Sequence, residues 1–94
     1  MKLPTINLNG TSPSDLLEQQ AEVLLSIRVA LDKLYLAAPH GRDHLNGDWS
    51  VAKQEHFARI NKIRDVMVEV EIIAEHCSDA VNARKPTNVY LRPS

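Results

Sequence analysis

Cysteine occurs once in this chain, at Cys77, glycine three times and aromatic residues four times, and each scarcity removes a class of answers. A single cysteine excludes an intramolecular disulfide and any cysteine-cluster zinc site, and it suits a reducing compartment. Standing alone, Cys77 reads as a small buried hydrophobe. With only Tyr35, Trp49, Phe57 and Tyr90 to supply large rings, the core has to be aliphatic. No apolar run approaches the roughly 18 residues of a membrane-spanning helix. The start Met1-Lys2-Leu3-Pro4 also lacks the apolar stretch of a signal peptide, so no membrane association and a cytoplasmic location are expected. A net charge of -1 provides neither an electrostatic grip on bulk nucleic acid nor an acidic, DNA-like surface. Gly-rich phosphate loops, G-x-S-x-G, H-E-x-x-H and paired cysteines are all missing, so the expectation is no enzyme, no catalytic residue and no cofactor.

What is present is helical periodicity on either side of one polar connection, residues 39–48. Pro39 stops the preceding helix, Gly41 and Gly47 are expected to supply unusual backbone conformations, and Asp48 is placed to cap the second helix. Upstream, Ser12 followed by Pro13 and Asp15 is a strong helix start. The first helix is predicted over 13–38, with Leu17, Leu24, Leu31 and Ala38 repeating every seventh residue and Gln20, Ile27 and Leu34 three residues after each of the first three. Leu16, Val23 and Ala30 widen that seam on one flank. The second helix is predicted over 49–83, where His56, Ile60, Ile63, Met67, Val70, Ala74, Cys77 and Val81 alternate in steps of four and three, flanked by Val66, Ile73 and Ala80. Arg28 with Asp32 and Glu55 with Arg59 stand at pairing distance along their helices.

The expected fold is therefore all-α, a single domain spanning 1–94. Two long antiparallel helices form a helical hairpin with a coiled-coil-like seam, and short extended arms at 1–11 and 84–94 alternate apolar and polar residues and are able to pair. The second helix is the longer, so Ile73, Cys77 and Val81 are expected to overhang and to need cover from the N-terminal segment, the tail or another subunit. Leu25, Val29 and Leu36 on the first helix and Val68 and Ile72 on the second lie off the seam, on faces a lone hairpin leaves in water. They are the expected interface of a homo-oligomer, a state that the small size also favours.

Chemistry concentrates in the connection and the tail. His40, Asp43 and His44 are residue types that bind zinc or nickel, but a structural site needs four fixed ligands and no metal is expected. Arg42, beside Gly41 and close to a helix start, combines a guanidinium with backbone N–H groups, a pattern suited to anions; the alternative is a surface pair with Asp43. Arg84, Lys85 and Arg92 with Tyr90 join positive charge to an aromatic face that stacks on bases. The candidate ligand-binding residues are His40, Gly41, Arg42, Asp43, His44, Arg84, Tyr90 and Arg92. His56, at a seam position, reads as a hydrogen-bonded core or interface histidine.

The stretches Asn9-Gly10-Thr11-Ser12, Leu16-Leu17-Glu18-Gln19-Gln20, Ala37-Ala38-Pro39-His40-Gly41-Arg42-Asp43 and Glu55-His56 together resemble a family of small helical-hairpin proteins carried by bacteriophages and prophages. In that family the turn reads Pro-Asn-Gly-Arg-Asp followed by tyrosines; here His40 stands for the asparagine and His44 for the first tyrosine. The architecture is also loosely similar to that of phage counter-defence proteins that sequester cyclic-nucleotide immune signals. The double-faced apolar helices, the Arg42 turn and the Arg/Tyr tail lead to the expectation of a phage-type, non-enzymatic, oligomeric binding module in the host cytoplasm that sequesters a small anionic ligand such as a nucleotide. The competing expectation is a protein-interaction module that inhibits or bridges a host protein through an apolar helix face.

Overall fold

A computed structural model describes residues 1–6 and 10–84 of the chain, and among them two long helices pack against each other with no strand. Helix α1 spans Pro13–Leu36 and helix α2 spans Trp49–Arg84, with a short 3-10 turn at Gly41–Asp43 between them. The expected ribbon pairing of the two arms falls on residues 7–9 and 85–94, outside the described part.

Local chemistry sets the helix ends. Ser12 is extended, with ψ 150°, and its hydroxyl accepts a hydrogen bond from the Asp15 N–H at 3.1 Å, satisfying one of the donors that a helix start leaves unpaired. Pro13 follows at the first helical position, where its missing N–H costs nothing. Helix α1 stops at Leu36, two residues short of the predicted Ala38, because the residue before Pro39 is sterically disfavoured in the helical region. Ala38 lies exposed beyond the helix instead of in the seam.

The seam orders the packing. Leu34 lies against His56, Ile27 and Ala30 lie beside Ile63 and Val66, Leu16 and Gln20 beside Ile73 and Cys77, and Pro13 beside Val81. All eight seam residues of α2 are buried or half-buried, as are the six seam residues of α1 that lie within the helix. Leu31, Ile60, Val70 and Cys77 form the deepest part, and His56 joins them at 6% exposure. Each large aliphatic side chain so buried contributes about 1.5–3 kcal/mol.

The predicted overhang lies at the opposite end of the hairpin. Val81 reaches the start of α1, so the far ends of the helices are nearly level. The extra length of α2, 36 residues against 24, is taken up before His56, where its first two turns run alongside the connection after Leu36. Trp49 fixes that course by donating its indole N–H to the Pro39 carbonyl at 3.0 Å. At the far end, residues 2–5 line an open pocket of about 430 Å³ together with Leu16, Gln20, Ile73 and Cys77, and the His76 ring Nε2 donates to the Pro4 carbonyl at 2.9 Å. Among the described residues the N-terminal segment stands at this end, and Cys77 has 0% exposure; the tail lies outside the described part.

Candidate functional site

The connection is built from its own backbone. His40 is extended and caps the 3-10 turn, its Nδ1 accepting from the Arg42 N–H at 3.4 Å. The Asp43 N–H donates to the His40 carbonyl at 3.0 Å, and the His44 N–H to the Gly41 carbonyl at 3.1 Å. The amides of Arg42, Asp43 and His44 are therefore spent inside the turn, and the backbone half of the expected anion-binding pattern is engaged. Gly47 adopts φ +82°, a conformation that costs a non-glycine residue roughly 1–2 kcal/mol. Gly41 does not share it, and a Cβ added there meets open space. Of the two glycines expected to serve the backbone, only Gly47 does.

Asp48 stands at the cap position of α2, its carbonyl accepting from the Ala52 N–H at 3.0 Å, while its side chain turns back to His44: Oδ1 lies 3.1 Å from His44 Nδ1, a hydrogen bond that becomes an ion pair when the imidazole is protonated. Among the described residues this is the one contact within 4.0 Å between a basic and an acidic side chain. The pairs Arg42 with Asp43, Arg28 with Asp32 and Glu55 with Arg59 are not formed. These side chains are exposed, and holding two long exposed side chains together costs about as much entropy as the weak attraction returns. The Arg42 guanidinium stands in solvent. No group of three or more metal-binding side chains occurs among the described residues.

The tail half of the candidate ligand set is remote from the connection. Arg84 closes α2, and with 36 residues at 1.5 Å each the helix separates it from Trp49 by roughly 54 Å. Tyr90 and Arg92 lie outside the described residues. Within one chain, then, Arg42 and Arg84 cannot serve the same small ligand.

No family model, curated protein or solved structure matches the chain.

A concavity lies elsewhere among the described residues, along one flank of the hairpin. It is an open trough of about 560 Å³, lined by Gln19, Glu22, Val23, Ser26, Ile27 and Ala30 of α1 and by Ile63 and Val66 of α2. Its walls are mainly aliphatic and hold no cation. Tyr35 and Arg64 lie on the opposite flank by helical periodicity, and there the Arg64 guanidinium donates to the Tyr35 hydroxyl at 2.7 Å, tying the helices together. Both walls of the trough are visible in the sequence as the flanking sets Val23 and Ala30 on the first helix and Val66 on the second. That they meet on one side requires the register of the pair, which two separate periodicities do not contain.

The five side chains expected at an oligomer interface lie apart from this trough. Leu25, Val29, Leu36, Val68 and Ile72 are between 45% and 82% exposed. Beside the connection, Leu45 at 87% and Val51 at 54% add to the apolar surface in water. Leu34 and His56 make a part-buried polar contact between the helices in this region. The His56 Nε2 lies 2.6 Å from the Leu34 carbonyl in the last turn of α1, which also accepts from the Ala37 N–H at 3.1 Å.

Proposed function

We propose that the chain is a non-enzymatic protein-interaction module, an antiparallel helical hairpin that inhibits or bridges a host protein through its exposed apolar helix stripes. The observation that carries this reading is the half or greater exposure of Leu25, Val29 and Leu36 on α1, together with Val68 and Ile72 at 50% and 45% on α2. Isolated exposed apolar residues are ordinary, but spacings of four and seven residues align these along single helix faces, the arrangement by which helices recognise one another. A stripe on each helix also suits bridging. The test compares affinity capture by the unaltered chain with capture by Leu25→Glu and by Ile72→Glu, each checked for unchanged helicity. A partner retained by the parent and lost by a stripe variant is the expected result; identical capture by all three sinks the reading.

A second reading is favoured by Arg42, whose guanidinium has no carboxylate within 4.0 Å among the described residues. In that reading, chains assemble so that several Arg42 side chains surround a small anionic ligand such as a nucleotide immune signal, a counter-defence role. Melting in the presence of a nucleotide panel tests it by mass action: a true ligand at a hundred times its dissociation constant adds about 2.7 kcal/mol. A midpoint unmoved by every nucleotide, or moved equally in Arg42→Ala, removes this reading.

A further inference from the structure

We propose that the trough between Val23 and Val66 is filled by a second copy of this chain, turned end for end about a two-fold axis that crosses the trough at right angles to the helices. The inference is independent of the stripes on which the proposed function rests. Three observations lead to it.

The trough is apolar where it is deepest. Ile27 and Ile63 form part of the seam, while Val23 and Val66 remain 42% and 51% exposed on its walls, so a face of the same kind is what removes them from water. The same flank already accepts chain at one end. Leu16 and Ile73 occupy the positions seven residues beyond Val23 and Val66, and there residues 2–5 line a pocket with both helices. The trough adjoins this segment along the helices.

The rim charges then select the occupant and its direction. The pairings of Leu34 with His56 and of Ile27 with Ile63 put Glu22 level with Glu69 on the opposite helix, so the rim near the N-terminal segment is acidic on both sides. Nearer the connection the rim carries Lys62 and Arg59 on α2 and Lys33 on α1, with Glu55 a turn further on. Lys62 and Glu69 are seven residues apart and therefore on one face of α2. A copy laid on in the same direction sets acid against acid and base against base. A copy reversed about an axis passing near Ser26 and between Asp65 and Val66 sets Lys62 against the partner's Glu69 and, by symmetry, Glu69 against the partner's Lys62, two complementary pairs against the one like pair that Asp65 makes with its own copy. It also brings the Lys33 end of α1 toward the end that holds Glu22. The trough-lining residues of both helices are centred close to that axis, as a self-complementary contact requires.

The test uses the full chain and reads mass by light scattering at low salt. The expected mass is twice 10.5 kDa, falling to the monomer value in Val66→Glu, a change at a half-exposed position that leaves helicity intact. Lys62→Glu and Glu69→Lys each place two like-charge pairs in their own homodimer and are expected to weaken self-association about tenfold. Mixed one to one, the two variants form a heterodimer in which every such pair is complementary, and association returns to the parental level. A monomeric parent at micromolar concentration overturns the proposal and leaves the trough to some other occupant. A dimer broken by Leu25→Glu but not by Val66→Glu overturns it by placing the interface on the stripe. Failure of the mixture to recover overturns the end-for-end orientation.

Discussion

The two ends of the hairpin are closed by different means. At the connection the closure is directional: the His56 ring reaches the Leu34 carbonyl, the Trp49 indole holds the Pro39 carbonyl, and the Lys53 ammonium sits 5.0 Å from the centre of the Trp49 ring. Large apolar side chains, Leu36 and Leu45 above all, are nevertheless left in water there. At the far end the closure is by cover. Residues 2–5 stand beside Ile73 and Cys77 with one hydrogen bond, from His76 to Pro4, and the thiol there is fully buried. Hydrogen bonds shape a loop without hiding apolar surface, whereas a short separate segment hides it at the cost of ordering its own backbone. The far end should accordingly open more readily than the connection, and each end carries its own reporter: Trp49 fluorescence for one, Cys77 alkylation for the other.

The largest effect belongs to the middle, on which both ends depend. Ile60 is 2% exposed, and Ile60→Ala removes buried methyl groups and leaves a void, for an expected loss of about 2–5 kcal/mol. Denaturant unfolding followed by circular dichroism, Trp49 fluorescence and Cys77 labelling should shift together. If the signals separate, the hairpin is not one cooperative unit.

Next comes His56→Ala, which leaves the Leu34 carbonyl without its cross-helix donor and opens space at the top of the core, for about 1–3 kcal/mol. The loss should appear in the Trp49 signal at lower denaturant than in the parent. A change below about 0.5 kcal/mol, the range of an ordinary surface substitution, would mean that water replaces the imidazole and that the connection is closed by Trp49 alone.

His76→Ala tests the other end. Loss of the Pro4 contact is expected to cost about 1 kcal/mol in global unfolding. Its main signature is local, a several-fold faster alkylation of Cys77 under native conditions, because opening the segment suffices to expose the thiol. Unchanged alkylation would show that packing of Leu3 and Pro4, and not the hydrogen bond, holds the cover in place.

The contrast between the ends also explains which features are legible in the sequence. The seam is, because burial along a helix repeats with the geometry of the helix: His56 to Val81 can be read in steps of four and three, and all eight residues are buried or half-buried. The start at Ser12 and Pro13 is equally legible, since capping is a matter of neighbouring residues. The connection is not. Where the Asp48 side chain goes depends on a fold-back over four residues to His44, and whether the connection runs past the end of α1 depends on Trp49 finding Pro39 ten residues away. The cover over Cys77 joins residues 72 apart in the chain, His76 and Pro4, and neither carries a local pattern that announces the other. The trough lies between these cases, with both walls visible and their meeting hidden.

The smallest effect on stability is expected at Arg42, and for that reason it is informative about the connection. Its backbone N–H is held by His40, but its side chain makes no ion pair among the described residues, and the neighbouring Gly41 leaves open space around it. Arg42→Ala keeps every hydrogen bond of the turn and removes only an exposed cation, so unfolding should move by less than about 0.5 kcal/mol. Asp43→Ala is the matched control, since it removes the neighbouring carboxylate while keeping the guanidinium, and it too should be nearly silent in unfolding. Because the turn stands without either side chain, a biological or ligand-binding defect in Arg42→Ala that is absent in Asp43→Ala would reflect use of the cation itself. A tenfold loss corresponds to about 1.4 kcal/mol, well above the expected change in folding. If instead Arg42→Ala melts the hairpin early and Trp49 fluorescence shifts with it, the guanidinium braces the connection, and the closure of that end is not confined to His56 and Trp49.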